Sequence, residues 1–191
     1  GASAGIGLAI ARGFASAGAR VAVVARNPGP LDDAVASIRS DTGAEAIGVQ
    51  ADVSTAEGCA QVIAQVEAQL GAVDILVNNA GSSARSPFVN VTDEQWQADL
   101  DLKLFGAIRL VRSVFPGMRE RKFGRIINIL NTGAKAPPAE GAPTAVSRAA
   151  GMALTKILAG EGAPDNVLVN AMLVGKIRSA QWERRHAAQE G

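Results

Sequence analysis

Short apolar segments rich in β-branched residues alternate with longer helical segments along the 191-residue chain. Unbroken apolar runs of this kind are typical of buried parallel strands. The strand-like runs cover 21–24, 46–49, 73–77, 125–130 and 167–170, and the helical stretches cover 6–17, 31–40, 55–70, 92–118 and 147–161. Pro116 is expected to break or kink the fourth helical stretch. The alternation predicts an α/β fold with a doubly wound parallel sheet. No linker interrupts it, so residues 1–191 are predicted to form a single domain.

The composition excludes several classes of function. The 19 Lys and Arg residues nearly balance the 18 Asp and Glu residues, so we expect no nucleic-acid partner and no binding to an anionic membrane surface. No apolar run approaches the roughly 18 residues of a membrane-spanning helix. One cysteine, Cys59, cannot form an intrachain disulfide or a Cys-rich zinc site, which favours a cytoplasmic protein without a metal. The chain has no tyrosine, so no phenol can act as its acid or base.

A glycine-rich loop opens the first helical stretch with the pattern G-x-x-x-G-x-G. Glycines let a backbone approach a pyrophosphate closely, and the following helix N-terminus offers unpaired N–H groups. Loops of this composition also occur as purely structural turns, so the pattern alone leaves both readings open. The candidate binding residues in the loop are Gly1, Ser3, Gly5, Ile6 and Gly7.

A phosphate loop in a Rossmann fold follows a buried strand in the middle of the sheet. No strand-like segment precedes Gly1 in this sequence. Without that strand, two rows of backbone groups inside the sheet lack partners. We therefore expect the sheet of this chain to lack its first strand.

The first strand-like run ends at Ala25-Arg26, which corresponds to the end of the second strand of the expected fold. In dinucleotide-binding sheets an acidic residue at this position binds the ribose hydroxyls, whereas an arginine accommodates a 2′-phosphate. Arg26 therefore favours NADP over NAD. A solvated arginine with no ligand is the alternative reading.

Further motifs at the strand ends carry a family resemblance. Asp52-Val53 follows the second strand-like run, Asn78-Asn79-Ala80-Gly81 follows the third, and the segment 124–129 reads Gly-Arg-Ile-Ile-Asn-Ile. Together with the glycine loop, this order and spacing resemble the short-chain dehydrogenase/reductase family from Gly1 to about Ser179. The resemblance implies an oxidoreductase that binds a nicotinamide dinucleotide and acts on a small carbonyl or alcohol substrate.

The resemblance also implies roles for these residues in cofactor binding. The glycine loop would hold the pyrophosphate, Asp52 and Val53 would flank the adenine, and Asn79, Ala80 and Gly81 would lie along the cofactor. The turn that faces the nicotinamide in the family reads Leu173-Val174-Gly175 here and keeps only its glycine, Gly175. The family continues beyond this region, so we expect the chain to lack the C-terminal end as well.

The catalytic positions of the family differ in this chain. Its active members use an asparagine, a serine, a tyrosine and a lysine, and the matching positions here hold Lys103, Asn131, Thr144 and Arg148. Asn131 could still orient a substrate oxygen and Arg148 could still hold the ribose. Thr144 is too weak an acid to replace a phenol, and an arginine stays protonated. Lys103 is either a substitute acid with a pKa depressed by burial or a structural hydrogen-bond donor.

Two functions remain open. The first is an NADP-binding oxidoreductase with replaced catalytic residues, and the second is a non-catalytic dinucleotide-binding or assembly protein. Members of the family pair through their fourth and fifth helices, which implies a homodimer or homotetramer. The apolar face of the last helical stretch could serve that pairing or the core. His186 is a candidate acid or a surface residue, and Cys59 is expected in the core.

Overall fold

A computed structural model describes residues 1–175 and 177 of the chain. In the first half of the chain, the α-helices and β-strands follow one another in the order α1 (Gly5–Ser16), β1 (Val21–Ala25), α2 (Pro28–Thr42), β2 (Ala46–Gln50), α3 (Ala56–Leu70), β3 (Ile75–Asn78) and the short β4 (Arg85–Ser86). The second half contributes α4 (Asp93–Leu100), a π-helical turn (Asp101–Phe105), α5 (Gly106–Glu120), β5 (Gly124–Asn131), β6 (Ala142–Pro143), α6 (Thr144–Gly162) and β7 (Val167–Val174). The predicted alternation of strands and helices is confirmed.

The main strands are parallel and form two sets. β1 pairs with β2, and β5 lies between β3 and β7. The short strands β4 and β6 form a separate antiparallel pair. Helices cover the strands and bury the apolar clusters between the two layers. The chain is therefore a single α/β domain of the Rossmann type, as the sequence predicted.

The fourth helical stretch differs from the prediction. Pro116 lies inside α5 without ending it, and the interruption comes earlier, at the π-helical turn Asp101–Phe105. Gly106 follows this turn and packs so closely that a Cβ there would lie 2.7 Å from the carbonyl oxygen of Val53. A π-helical turn changes the direction of side chains locally. Tertiary packing, rather than the proline, sets the position of this break.

Two other helix boundaries bear on the site. Thr92 and Gln95 form a capping box at the start of α4. Helix α6 begins at Thr144, three residues before the predicted start at Ser147. The earlier start places Thr144 in the first turn of α6, on the same helix as Arg148.

A cavity of about 490 Å³ separates the two sets of strands. Its wall includes Val24 of β1 and Val77 of β3, and apolar side chains of α1, α3 and α5 complete it. β1 and β3 are not hydrogen bonded to each other.

Within the described residues, no helix combines the length and apolar character that crossing a membrane requires. The same part of the chain holds no group of three or more His, Cys, Asp and Glu side chains placed to bind a metal ion. Cys59 is buried, as expected, with its thiol 3.3 Å from the carbonyl oxygen of Val53. Burial raises the pKa of this thiol, which disfavours its reactive thiolate form.

The open cavity generates a prediction about stability. We expect the 191-residue chain to unfold over a broad temperature range, because the facing edges of β1 and β3 leave backbone groups unpaired. An apolar β-forming extension as long as β1, 5 residues, placed before Gly1 should sharpen the transition and raise its midpoint. Circular dichroism during heating measures both effects. A Gly/Ser extension of equal length is the control, and a sharp transition in the unextended chain would contradict the prediction.

Candidate functional site

The glycine loop is anchored at the carboxyl end of β1. The amino group of Gly1 donates to the carbonyl oxygen of Val24 at 2.7 Å, and the amide of Ala2 donates to the same oxygen at 3.2 Å. The loop is thus fixed beside the end of the strand.

The first turn of α1 has free capacity for an acceptor. Ala4 precedes the helix without a side-chain cap, and no acidic residue lies in the first turn. Gly5 begins the helix at a φ of 57°, a conformation that favours glycine. The N–H groups of a first turn have no partner within the helix, and they attract anions such as phosphate. Ser3 and Ile6 flank this position.

The loop packs tightly against the segment after β3. The side-chain amide of Asn79 donates to the carbonyl oxygen of Gly1 at 2.6 Å. A Cβ at Gly7 would lie 2.3 Å from that oxygen, and a Cβ at Gly1 would lie 2.8 Å from the Cα of Ala80. These contacts require glycine at both positions. The structure brings together the two motifs that the sequence analysis assigned to the cofactor.

Arg26 and Asp52 lie side by side at the ends of β1 and β2. Their closest charged atoms are 4.0 Å apart, and the Arg26 side chain is 72% exposed. The amide and hydroxyl of Ser54 donate to Asp52 at 3.0 and 2.8 Å. These hydrogen bonds, more than Arg26, lower the pKa of Asp52. Arg26 therefore presents its guanidinium to solvent beside the predicted adenine position, while Val53 is buried behind it.

The opposite end of the site contains a buried polar cluster. Its members are Asp99, Lys103, Thr144 and Ser147, each at most 6% exposed. The ammonium of Lys103 donates to one oxygen of Asp99 and, at 2.9 Å, to the hydroxyl of Thr144. Ser147 donates to the other oxygen of Asp99 at 2.6 Å. Removing one partner from a buried ion pair typically costs about 3–5 kcal/mol.

The hydroxyl of Thr144 has no hydrogen-bonding capacity to spare. It accepts from Lys103 at 2.9 Å and from the amide of Ala84 at 3.0 Å, and it donates to the carbonyl oxygen of Ala84 at 2.7 Å. One donated and two accepted bonds exhaust a hydroxyl group. Thr144 therefore joins α6 to the segment before β4. A substrate oxygen could bond to it only by displacing one of these partners.

Arg148 and Asn131 lie near this cluster at the end of β5. Arg148 donates to the carbonyl oxygen of Ile129 at 2.9 Å, and a Cβ at Gly81 would lie 2.5 Å from its guanidinium. Burial lowers the pKa of Arg148, and the charge of Asp99 opposes this shift. Asn131 ends β5, and its side-chain oxygen is buried with no partner among the described residues. Buried polar atoms are rarely left so, which marks Asn131 as a group available to a ligand.

Two predicted positions lie apart from these contacts, and two residues of the cluster were missed. Gly175 is exposed just beyond the end of β7, and His186 lies outside the described residues. Asp99 and Ser147 were not predicted from the sequence. The spacing of Asp99 four residues before Lys103 was a visible signal, because such pairs share one helix face. Nothing in the local sequence connected Ser147 with them.

Comparison with known proteins places this geometry in a family. The sequence profile of the short chain dehydrogenases matches residues 1–190. The acetoacetyl-CoA reductase of Shinella zoogloeoides is 40% identical over 179 residues, which cover 93% of this chain and 71% of that protein.

Two solved structures extend the likeness. L-Sorbose reductase from Gluconobacter frateurii, complexed with NADPH and L-sorbose, has 38% identity and a TM-score of 0.95 over 99% of this chain and 72% of its own. An NADPH-bound short chain oxidoreductase from Pseudomonas aeruginosa PAO1 with an atypical catalytic center has 36% identity and a TM-score of 0.92, over 99% and 74% respectively. The chain belongs to the short-chain dehydrogenase family, whose members are oxidoreductases of carbonyl and alcohol substrates.

The packing of Gly7 generates a prediction. Gly7→Ala should lower the stability by about 1–3 kcal/mol, because the new methyl group overlaps the carbonyl oxygen of Gly1 and the amide of Asn79. It should also weaken NADPH binding, because the loop has to move away from its anchor. Gly13→Ala in the same helix is the matched control, since its Cβ meets nothing within 4 Å. Thermal denaturation and fluorescence titration measure the effects, and equal NADPH affinity in the two variants would contradict the prediction.

Proposed function

We propose that this short-chain dehydrogenase binds NADP(H) and that it acts on a small carbonyl or alcohol substrate. The observation that carries the proposal is the close packing of the glycine loop on Asn79 and Ala80, where a Cβ on either Gly1 or Gly7 would overlap backbone atoms. This packing places backbone without side chains next to the uncapped N-terminus of α1. NADPH, when bound, supplies a hydride to a carbonyl carbon.

The residues present fit this cofactor along the site. The first turn of α1 would hold the pyrophosphate, and Asp52 and Val53 would border the adenine. Arg148, beside Gly81, would hold the nicotinamide ribose, with Gly175 near the same end. The unpartnered carboxamide of Asn131 has free capacity to orient the substrate oxygen. The likeness of this chain to two NADPH-bound structures supports the fit, because all three share the same fold.

The preference for NADP over NAD rests on Arg26. Its guanidinium is exposed, and its one ion pair among the described residues is with Asp52, at 4.0 Å. A cation at the end of this strand favours the 2′-phosphate that distinguishes NADP from NAD. The contact of Gln50 with the carbonyl oxygen of Arg26, at 3.1 Å, helps fix the backbone there.

Replacing Arg26 tests this preference. Arg26→Asp should weaken NADPH binding about tenfold or more, since a carboxylate repels the 2′-phosphate, and it should strengthen NADH binding by accepting from the ribose hydroxyls. Fluorescence titrations with both cofactors measure the change. Arg112→Asp on the exposed face of α5 is the control for net charge. An unchanged ratio of the two affinities in Arg26→Asp would contradict the assignment.

Reduction of a carbonyl also needs a group that donates a proton to the substrate oxygen. The Thr144 hydroxyl is held by Lys103 and Ala84, and the chain has no tyrosine to take its place. Burial lowers the pKa of Lys103, while Asp99 opposes the shift. The alkoxide formed on a reduced carbonyl would receive its proton from water or from Lys103. Because every hydrogen-bonding position of the Thr144 hydroxyl is occupied, this residue favours a second function, that of a dinucleotide-binding protein without turnover.

Turnover measurements distinguish the two functions. The proposed reductase oxidises NADPH in the presence of a carbonyl panel, and the variant Asn131→Ser, Thr144→Tyr, Arg148→Lys serves as the comparison. Activity in the unmodified chain supports the reductase. NADPH binding without activity, together with activity in the triple variant, supports the non-catalytic function. Failure to bind NADPH or NADH would contradict both.

The assembly of the chain is part of the same proposal. On α6, Ile157 is 58% exposed and Val146 is 51% exposed, whereas Leu158 packs against the core. Exposed apolar residues on a helix are common in interfaces between subunits. We therefore propose that the protein forms a homodimer or homotetramer through this helix. We also propose that it is located in the cytoplasm.

A further inference from the structure

At the end of the site that contains Gly81, one buried carboxylate lies with two cations. Asp99 from α4 is the anion, and Lys103 from the π-helical turn and Arg148 from α6 are the cations. The side chains of Lys103 and Asp99 are 1% and 3% exposed, and Arg148 is half-buried. The two cations meet at Gly81, where a Cβ would lie 2.5 Å from the Arg148 guanidinium and 3.5 Å from the Cγ of Lys103. Burial lowers the pKa of Lys103, Asp99 raises it, and the charge of Arg148 lowers it.

The two oxygens of Asp99 join three parts of the chain. One accepts from Lys103, and the other accepts from Ser147 at 2.6 Å. Lys103 then holds Thr144, and Thr144 binds both backbone groups of Ala84. The carboxylate is thus connected, through two side chains, to the segment that follows Gly81.

We propose that Asp99 is a positioning residue of this site, which keeps Lys103 on Thr144 and Arg148 against Gly81. The inference rests on the proposed binding of NADP(H). Asp99 is too deeply buried to touch a ligand, so it acts through its neighbours. Its negative charge compensates the buried Lys103 and the half-buried Arg148 beside it, and Arg148 is the member that reaches the cofactor side.

The geometry at Gly81 explains why this matters for binding. The guanidinium of Arg148 lies where a Cβ of Gly81 would be only 2.5 Å away. One hydrogen bond, to the carbonyl oxygen of Ile129 at 2.9 Å, holds its other side. Without Asp99, the positive charge of Lys103 would repel the Arg148 guanidinium from Gly81. The carboxylate of Asp99 opposes that repulsion.

The test uses Asp99→Asn, which removes the charge with little change of shape. At the lowest pH at which the variant stays folded, we expect NADPH affinity to fall about tenfold, within the roughly 5- to 150-fold range of such couplings. Without the carboxylate, the pKa of Lys103 falls further below its ordinary value. Raising the pH to the highest value at which the variant stays folded should therefore favour neutral Lys103, weaken its repulsion of Arg148 and restore part of the affinity.

Two comparisons separate positioning from a structural role. The double variant Asp99→Asn, Lys103→Met should show no such recovery with pH, because its titrating group is gone. Asp101→Asn is the matched control, since Asp101 bonds to Gln97 and Arg109 outside the cluster. Fluorescence titration with NADPH gives the affinities, and circular dichroism confirms that each variant is folded.

The outcomes are distinct. Equal NADPH affinity in Asp99→Asn and the unmodified chain overturns the inference, and so does a loss that is the same at both pH values. If Asp99→Asn does not fold, Lys103→Met is compared with the double variant, which should bind more weakly because Arg148 has lost its carboxylate. Equal affinity there overturns the inference. Failure of the unmodified chain to bind NADPH overturns the proposed function itself, and the inference with it.

Discussion

The contact between the glycine loop and its two neighbours holds the site together. On one side, the amino group of Gly1 and the amide of Ala2 donate to Val24 of β1. On the other side, Asn79 after β3 donates to the carbonyl oxygen of Gly1. β1 and β3 share no backbone hydrogen bond, so this loop is a bridge between the two sets of strands at their carboxyl ends. The bridge requires residues without side chains at Gly1 and Gly7.

Much of this arrangement follows from the sequence. The alternation of strands and helices, the capping box at Thr92 and the tight glycine loop depend on neighbours in the chain, so local patterns predict them. The π-helical turn and the early start of α6 depend on packing between distant elements, and local patterns missed both. Ser147 bonds to Asp99 across 48 residues of sequence, a contact that no spacing indicates. Burial decides the chemistry of such a pair, and burial is a property of the whole fold.

The polar cluster shows how an ionised side chain can be accommodated inside the fold. Lys103 extends its buried ammonium to the Thr144 hydroxyl. Burying an ammonium is costly unless an anion and hydrogen bonds compensate it. Asp99 supplies the anion, and Ser147 occupies the remaining carboxylate oxygen. The four side chains therefore satisfy one another, and altering one of them changes the environment of all.

The two ends of the site depend on different parts of the fold. The glycine-loop end is built from α1, β1 and the segment after β3, and it presents backbone groups and glycines. The other end is built from α4, the π-helical turn and α6, and it presents polar and charged side chains. Arg148 connects them, because it belongs to α6 and lies against Gly81. A substitution in the polar cluster can therefore leave the glycine loop unchanged as long as Arg148 stays in place. The proposed role of Asp99 is to meet this condition.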